Sequence, residues 1–204
     1  MHEGFVTALL WLLFGGTHIG LTAGPIRKPI VERYGEGVFV VGYSVVAMAT
    51  FAALTHYVAL HRFDQPQASL LVSIPPVRGG LLALSVFGFT SFVTAVLVYP
   101  RFPMATFRHR VTEARGVQQV TRHPFFSGIA LWAAAHALLA PSQVTFIYFV
   151  GIVVLSIVGG MHQDRRLIDE LGEGYRAYVA ATSFWPFVAV LTKRQKIRWR
   201  EQPW

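Results

Sequence analysis

The chain has 204 residues, of which 53% are hydrophobic, and it carries a formal net charge of +8 without any cysteine. Apolar runs of roughly 20 residues recur along it, which is the length needed to cross a ~30 Å hydrocarbon layer, so the composition excludes an ordinary water-soluble domain. The basic residues fall between these runs and no nucleic-acid motif is present. We therefore expect membrane lipids with anionic head groups as partners, and no nucleic acid.

The continuity of the apolar runs predicts an all-α, polytopic membrane helix bundle that forms one domain. Five transmembrane helices are expected, at about 4–24, 37–60, 79–99, 124–141 and 144–161. The first run lacks a basic flank and a small-residue cleavage site, so we expect it to be retained rather than removed as a signal peptide. Lys and Arg are concentrated after the first, third and fifth runs. This distribution predicts an N-terminus outside and a C-terminus inside a bacterial inner membrane.

The apolar stretch at 181–191 is about half as long as a crossing requires, so we expect a short re-entrant or interfacial element there. Before it, apolar side chains recur at helical spacing among charged residues: Leu167, Leu171, Tyr175 and Tyr178. This pattern predicts an amphipathic helix on the cytoplasmic surface, separate from the fifth span. Asp164, near its start, is a candidate partner for Arg122 or Arg108.

Histidines within a membrane span are costly to bury and therefore indicate function. His18 lies in the first run, near a ladder of small residues formed by Gly16, Gly20 and Gly24. Such a ladder admits a neighbouring backbone or a flat ligand. A hydrogen bond from His18 to another helix is the structural alternative.

His136 lies within the fourth run among several alanines, one turn after Trp132, which we also expect to contact a bound cofactor. Small side chains around an imidazole leave volume that suits a bulky cofactor or substrate more than tight helix packing. An interhelical hydrogen bond is again the structural alternative. His56 lies near the end of the second run, where a histidine is less costly, and it competes with His18 for the role of first ligand.

Two deep imidazoles, with neither a thiolate nor a carboxylate inside the spans, restrict the metal chemistry. A structural zinc ion needs four ligands and a catalytic one needs three. Haem iron needs only one or two axial ligands, because the porphyrin supplies the other four. The count of donor atoms therefore favours haem among metal groups, with His18 and His136 as the candidate ligands of its iron.

The polar motif TRHP precedes the fourth run. Thr121 can cap the helix, and Pro124 fits its first turn, where a missing N–H costs nothing. Arg122 and His123 then lie at a helix N-terminus, which attracts anions. We expect them to hold a haem propionate, a lipid phosphate or a cofactor carboxylate; a capped helix with cytoplasmic positive charge is the alternative.

Short motifs in a fixed order resemble the NnrU domain family, which is related to the zeta-carotene isomerases: HIGL, HRFD, YP, TRHP with ALWAAAH, DRRLIDELGEGYRAY and TSFWPF. The resemblance covers nearly the whole chain and implies a small polytopic membrane protein, with a b-type haem on two histidines in the isomerases. Those ligands match His18 in HIGL and His136 in WAAAH. The isomerases are thought to exchange one histidine for a cysteine three residues before the second ligand. That position is Ala133 here, so the exchange is excluded.

A second resemblance is to the membrane methyltransferases that use S-adenosylmethionine to modify isoprenylcysteine or phospholipids. Their R-H-P-x-Y-x-G pattern appears as RHPFFSG, with Phe126 at the tyrosine position, and their paired glutamates fall near Asp164 and Arg165. This resemblance implies that Arg122 and His123 hold the cofactor. Four functions remain open at this point: a haem-dependent isomerase of an apolar substrate, a redox- or gas-responsive membrane protein, a structural partner of a respiratory complex and a methyltransferase.

Overall fold

A computed structural model describes residues 2–64, 70–98, 111 and 113–198 of the chain. Within these ranges the protein is helical and contains no β-strand, which confirms the predicted class. The α-helices in the described ranges are α1 (His2–Gly20), α2 (Gly24–Tyr34), α3 (Glu36–His61), α4 (Pro75–Val98), α5 (Pro124–Leu138), α6 (Gln143–Leu171), α7 (Glu173–Ala181) and α8 (Val188–Leu191). Short 3₁₀ turns occur at Leu70–Ser73 and Gly116–Gln119.

In the described part of the chain, three helices are long and apolar enough to cross a membrane: α3, α4 and α6. Helices α1 and α2 meet at a bend of 57° and make a fourth crossing if they form one broken span. Each of these segments reaches the length that a hydrocarbon layer requires. The chain is therefore a multi-pass membrane protein.

The fourth expected span, 124–141, is shorter in the structure. Helix α5 has 15 residues and ends at Leu138. At 1.5 Å per residue it is about 22 Å long, which falls short of the ~30 Å hydrocarbon layer. Pro141 explains the early end, because the residue before a proline is disfavoured in helical conformation. A count of five crossings remains a prediction.

The first expected span, 4–24, is also interrupted. Helix α1 ends at Gly20, and the segment expected to be a loop forms α2 instead. A proline in the first turn of α2 favours this start, because its fixed φ fits a helix and its missing N–H has no partner to lose. No side chain of α2 is buried.

Helix α6 is longer than the expected span at 144–161, because it continues through the charged sequence HQDRRLIDEL. Gly172 separates it from α7 with a φ of 59°, a left-handed conformation that glycine adopts at little cost. The amphipathic pattern is thus divided between the end of α6 and α7. Its apolar side chains Leu167, Tyr175 and Tyr178 are buried in protein. The apolar stripe thus packs against protein in two helices rather than lying on one, and its location on the cytoplasmic surface stays a prediction.

The chain divides into two compact units. The first unit is Met1–Leu81 with His136–Leu155, in which α3 packs against both α1 and α2. Its buried core consists of Phe14, Leu54, Val58 and Val144. The second unit is Leu82–Ala135 with Ser156–Trp204. Its buried core consists of Ala95, Ala114, Leu167, Tyr175 and Tyr178.

Candidate functional site

His18 lies in the last turn of α1 and is half-buried in the first unit. The hydroxyl of Tyr43, on α3, lies 2.9 Å from either ring nitrogen of His18, so it bonds one of them at a time. The Phe14 ring packs beside the imidazole, with ring centroids 5.1 Å apart. A neutral imidazole has one N–H and one lone pair, so a metal can bind His18 in the tautomer whose N–H is donated to the Tyr43 oxygen.

His136 lies in the last turn of α5 and belongs to the same compact unit as His18. Its imidazole packs against the Phe149 ring of α6, with ring centroids 4.9 Å apart. Two of the alanines that precede it, Ala133 and Ala135, are fully buried. Their methyl groups pack against protein atoms, so they do not form the open volume that the sequence suggests around the imidazole.

A series of aromatic contacts connects the two histidines within the first unit. The rings between the two histidines belong to α1, α3 and α6. The distance between the centroids of each neighbouring pair is within the range at which aromatic side chains attract one another. The successive centroid distances are 5.1 Å for His18–Phe14, 5.0 Å for Phe14–Phe51, 6.4 Å for Phe51–Tyr148, 5.4 Å for Tyr148–Phe149 and 4.9 Å for Phe149–His136. His18 and His136 are therefore two ends of one aromatic cluster.

The glycine ladder of α1 does not lie beside His18. Residues follow one another at about 100° around an α-helix, so Gly16 and Gly20 face about 160° away from His18. A methyl group added at either glycine would meet no atom within 4 Å. Among the described residues no backbone therefore packs against these two glycines, and the approach of a flat ligand to the ladder stays a prediction.

The TRHP motif forms a buried network with Asp164 in the second unit. The Arg122 guanidinium donates two hydrogen bonds to Asp164 Oδ2, at 3.0 Å from Nε and 2.7 Å from Nη2. His123 Nε2 lies 2.8 Å from Asp164 Oδ1, and the Tyr175 hydroxyl donates to the same oxygen at 2.7 Å. The pairing of Arg122 with Asp164 that the sequence suggests is thus present; Arg108 lies outside the described residues.

His123 is fully buried between aromatic rings. The ring centroids of Phe184 and Phe126 lie 5.1 Å and 5.7 Å from that of its imidazole. An ionised carboxylate only accepts hydrogen bonds. His123 Nε2 therefore carries the ring hydrogen and donates the hydrogen bond to Asp164. Nδ1 then bears a lone pair, and it is buried without a hydrogen-bond partner among the described residues.

Burial sets the protonation state of this network. It lowers the pKa of His123 below its ordinary value, although the hydrogen bond to Asp164 opposes the change. It raises the pKa of the Tyr175 hydroxyl, and the negative charge of Asp164 adds to this rise. At neutral pH the network is therefore a neutral imidazole and a neutral phenol around one Arg–Asp ion pair.

The C-terminal motif TSFWPF holds the TRHP motif in place. The Thr121 hydroxyl donates to the carbonyl oxygen of Phe184 at 2.6 Å, and the backbone N–H of Arg122 donates to that of Ser183 at 2.9 Å. The same hydroxyl accepts a hydrogen bond of 3.2 Å from the backbone N–H two residues later, at the start of α5. Residues 181–191, expected to be re-entrant or interfacial, thus begin with a turn bonded to the TRHP motif and end in α8.

Trp132, also expected to contact a cofactor, lies where α5 packs against α4. A Cβ added at Gly88 of α4 would lie 2.6 Å from the backbone nitrogen of Trp132 and 2.7 Å from the carbonyl oxygen of Gly128. A Cβ added at Gly128 would lie 2.6 Å from the backbone nitrogen of Phe92. These two glycines therefore allow α4 and α5 to pack backbone against backbone.

The histidines on α3 differ from this pattern. His56 is exposed, and His61 Nδ1 lies 2.7 Å from Asp64 Oδ2. Across residues 2–64, 70–98, 111 and 113–198, no three His, Asp or Glu side chains are grouped so as to hold a bare metal ion. This part of the chain therefore does not supply the three or four ligands of a zinc site.

Two tyrosines at these sites are not identified from the sequence as functional. Tyr43 has a signal, because a phenolic hydroxyl inside an apolar run needs a hydrogen-bond partner. Tyr175 fits the apolar stripe of an amphipathic helix. Because its ring alone explains that pattern, the sequence gives no reason to expect a role for its hydroxyl. Only the packing shows that this hydroxyl reaches Asp164.

These observations define the class of protein: a multi-pass helical membrane protein with two histidines in one helical unit and a buried Arg–Asp–His network in the other. Comparison with known families takes the assignment one step further. The family described as NnrU protein matches residues 6–199, so the chain belongs to the NnrU family.

Two curated relatives are chloroplastic 15-cis-zeta-carotene isomerases. The chain is 27% identical to the one from Zea mays over 206 residues, which cover 96% of this chain and 53% of that protein. It is 28% identical to the one from Arabidopsis thaliana over 197 residues, which cover 92% of this chain and 50% of that protein. The chain thus spans about half the length of these relatives. No solved structure matches it.

Proposed function

We propose that this chain is a membrane haem protein of the zeta-carotene isomerase kind, in which His18 and His136 bind the iron of haem b. The observation that carries the proposal is the aromatic cluster with one of these imidazoles at each end. Membership of the NnrU family and the named activity of two relatives support it.

The available donor atoms fit haem better than a bare metal ion. The chain has no cysteine, so soft thiolate ligands are excluded. In the described residues the acidic and histidine side chains do not form groups of three. Haem iron accepts one or two axial imidazoles, so His18 and His136 are a sufficient set of protein ligands.

Tyr43 orients the first of these imidazoles. A metal-binding histidine usually donates its other ring N–H to a nearby oxygen, which fixes the tautomer. The Tyr43 hydroxyl, 2.9 Å from the His18 ring, can accept that hydrogen bond. The adjacent Phe14 ring restricts rotation of the imidazole. His18 is thus prepared to present one lone pair in a fixed direction.

Haem, when bound, supplies a redox-active iron in a flat apolar macrocycle. The aromatic side chains of the cluster provide an apolar environment that suits both this macrocycle and a long polyene. We assign the chain an apolar substrate of the carotene class on this basis. Arg122, His123 and Trp132 lie in the second unit, where the contacts described above are with Asp164 and with α4.

The absorption spectrum of the detergent-purified protein tests the ligands. We expect a Soret band and, on reduction, the sharp α and β bands of six-coordinate low-spin haem, since two imidazoles fill both axial positions. His18→Ala and His136→Ala should each give a five-coordinate high-spin spectrum or lose the haem. His56→Ala, the matched control on α3, should remain low-spin.

Other spectra would contradict the assignment. A low-spin spectrum that survives His18→Ala but is lost in His56→Ala would identify His56, rather than His18, as the first ligand. A colourless protein from haem-replete cells would refute haem binding. If such a protein also bound S-adenosylmethionine, the methyltransferase hypothesis would be favoured. Arg122 and His123, the residues that this hypothesis assigns to the cofactor, are both hydrogen-bonded to Asp164 in the structure.

The activity requires its own test, because the ligands and the reaction can fail separately. The haem-loaded protein is placed in lipid discs with 15-cis-zeta-carotene. It should convert the 15-cis double bond of this substrate to trans, and chromatography would measure the conversion. His136→Ala should abolish the conversion. A haem-loaded protein that converts none of this substrate, in either the oxidised or the reduced state, would be a haem protein without isomerase activity.

A further inference from the structure

The surface segment 184–196 exposes large apolar side chains outside the membrane-crossing helices. Trp185 is 50% exposed and Leu191 is 79% exposed, which exceeds the 76% of Leu97 on the membrane-crossing helix α4. Phe187 and Val188 are also exposed. Val188 and Leu191 are three residues apart on α8 and therefore share one face. This face of a short surface helix has an apolar exposure comparable with a lipid-facing span.

The segment is held in a fixed conformation. Phe187 and Lys193, on either side of α8, adopt left-handed φ angles of 65° and 59°, which cost energy for residues other than glycine. The backbone N–H of Phe187 donates to the carbonyl oxygen of Val120 at 2.8 Å. Ala189 is fully buried, and its N–H donates to Ser183 Oγ at 3.0 Å. Ala189 thus faces the protein while Leu191 faces outward.

Two lysines in this segment form no ion pair with the residues that the structure describes. Arg194 donates hydrogen bonds to the carbonyl oxygens of Ala180 and Thr182 and so completes the end of α7. In contrast, within the described residues no ion pair forms at the ammonium groups of Lys193 and Lys196. Residues 182–198 contain no Asp or Glu. The segment therefore combines exposed apolar side chains with positive charge that no described acidic side chain pairs with.

We propose that segment 184–196 docks on an anionic bilayer surface, with Trp185 and Leu191 inserted at the level of the head groups and Lys193 and Lys196 bound to lipid phosphates. Tryptophan is favoured at this depth because its ring is apolar and its N–H is polar. Lysine extends its charge toward phosphate while its stem remains in the apolar layer. The charge complementarity selects anionic lipid over a neutral surface.

The absence of cysteine allows a clean test, because one introduced cysteine carries the only label. Leu191→Cys, with a nitroxide attached, is placed in discs of phosphatidylcholine with phosphatidylglycerol or of phosphatidylcholine alone. Collision with oxygen reports lipid contact, and collision with a water-soluble nickel complex reports water contact. Glu173→Cys, on the exposed side of α7, is the control for an accessible label and should stay in contact with water in both lipids.

We expect the label at position 191 to contact lipid in the anionic discs. At about 1 kcal/mol per lysine, removal of the anionic lipid should shift the docked equilibrium about thirtyfold toward water. Lys193→Gln combined with Lys196→Gln should give the same shift in anionic discs. Contact of the label with water in anionic discs would overturn the proposal. So would lipid contact that is unchanged both without anionic lipid and in the double lysine variant. Shielding of position 191 from both reagents would also overturn it and would indicate that a second copy of the chain covers this face. No haem is needed for this readout.

Discussion

Asp164 accepts four hydrogen bonds from three side chains, those of Arg122, His123 and Tyr175. Its carboxylate is the only negative charge among these groups, and it lies largely out of solvent. A buried arginine without its carboxylate is far more costly than a complete pair. We therefore expect Asp164→Asn to destabilise the protein by about 3 to 5 kcal/mol. Unfolding in a detergent–denaturant series would measure the loss.

An exposed ion pair offers the matched control for this change. Glu173 and Arg176 form a salt bridge of 3.2 Å on the exposed side of α7. Glu173→Gln also removes one carboxylate, but exposed pairs contribute little because water and salt screen them. If both variants lost the same stability, burial of the Asp164 network would not be the reason for its importance.

His123 makes stability depend on pH in a defined direction. Its pKa in the folded protein is lowered by burial, so the unfolded chain binds a proton at higher pH than the folded chain. Stability is therefore complete above the unfolded pKa of about 6.5 and is lost as pH falls below it. We expect a lower thermal midpoint at about pH 5 than at about pH 7.5.

Two variants separate the contribution of His123 to the pH dependence of stability from the contributions of other titratable groups. His123→Asn should flatten the decrease below about pH 6.5, since no proton can then bind at that position. The exposed His56→Asn should keep the slope of the wild-type protein. A wild-type midpoint that is unchanged or higher at low pH would contradict the role assigned to His123.

Helices α4 and α5 depend on glycine at the point where their backbones meet. A methyl group at Gly88 would lie 2.6 Å from a backbone nitrogen of α5, and backbone atoms cannot move aside as a flexible side chain can. We expect Gly88→Ala to cost about 1 to 3 kcal/mol, as overpacking does elsewhere. Gly80→Ala, on the same helix, meets nothing within 4 Å and should be neutral or slightly stabilising. Thermal melting of both variants measures the difference.

Hydropathy was sufficient to predict the long helices but not their ends. The apolar runs of α3 and α4 locate both helices, because only length and composition matter for a crossing. The charged end of α6 and α7 shows a period that fits either the membrane surface or a protein core, and the period alone does not distinguish them. The choice depends on Tyr175 and Leu167 finding partners in other segments, which a local pattern does not contain.

The site was predicted in part, for a similar reason. His18 and His136 stand out as ionisable groups in apolar runs, and the structure places both at one aromatic cluster. Asp164 was one of the anions expected beside Arg122, together with a ligand carboxylate or phosphate, and the structure shows this pairing across 42 residues of the chain. The sequence alone did not choose between Arg122 and Arg108 as the partner of Asp164, because many arginine and carboxylate pairs are equally compatible with the same spacing.

The number of crossings decides on which sides of the membrane the two ends lie. The charge distribution predicts five crossings with the N-terminus outside and the C-terminus inside. His2→Cys should then react with an impermeant thiol reagent in intact cells. Lys196→Cys should react only after the membrane is permeabilised. Labelling of both positions from the same side would require an even number of crossings and would make α5 a helix that does not cross.

The network around TRHP also sets an order in which the protein is completed during synthesis. Thr121 bonds to Phe184, which the ribosome adds 63 residues later. Until then, His123 lacks the Phe184 ring, although Asp164 and Phe126 precede Phe184 in the chain. A nascent chain that stops after α6 therefore lacks the hydrogen bonds that Thr121 and Arg122 form with the TSFWPF motif. The contacts around the start of α5 are complete only after this motif has been translated.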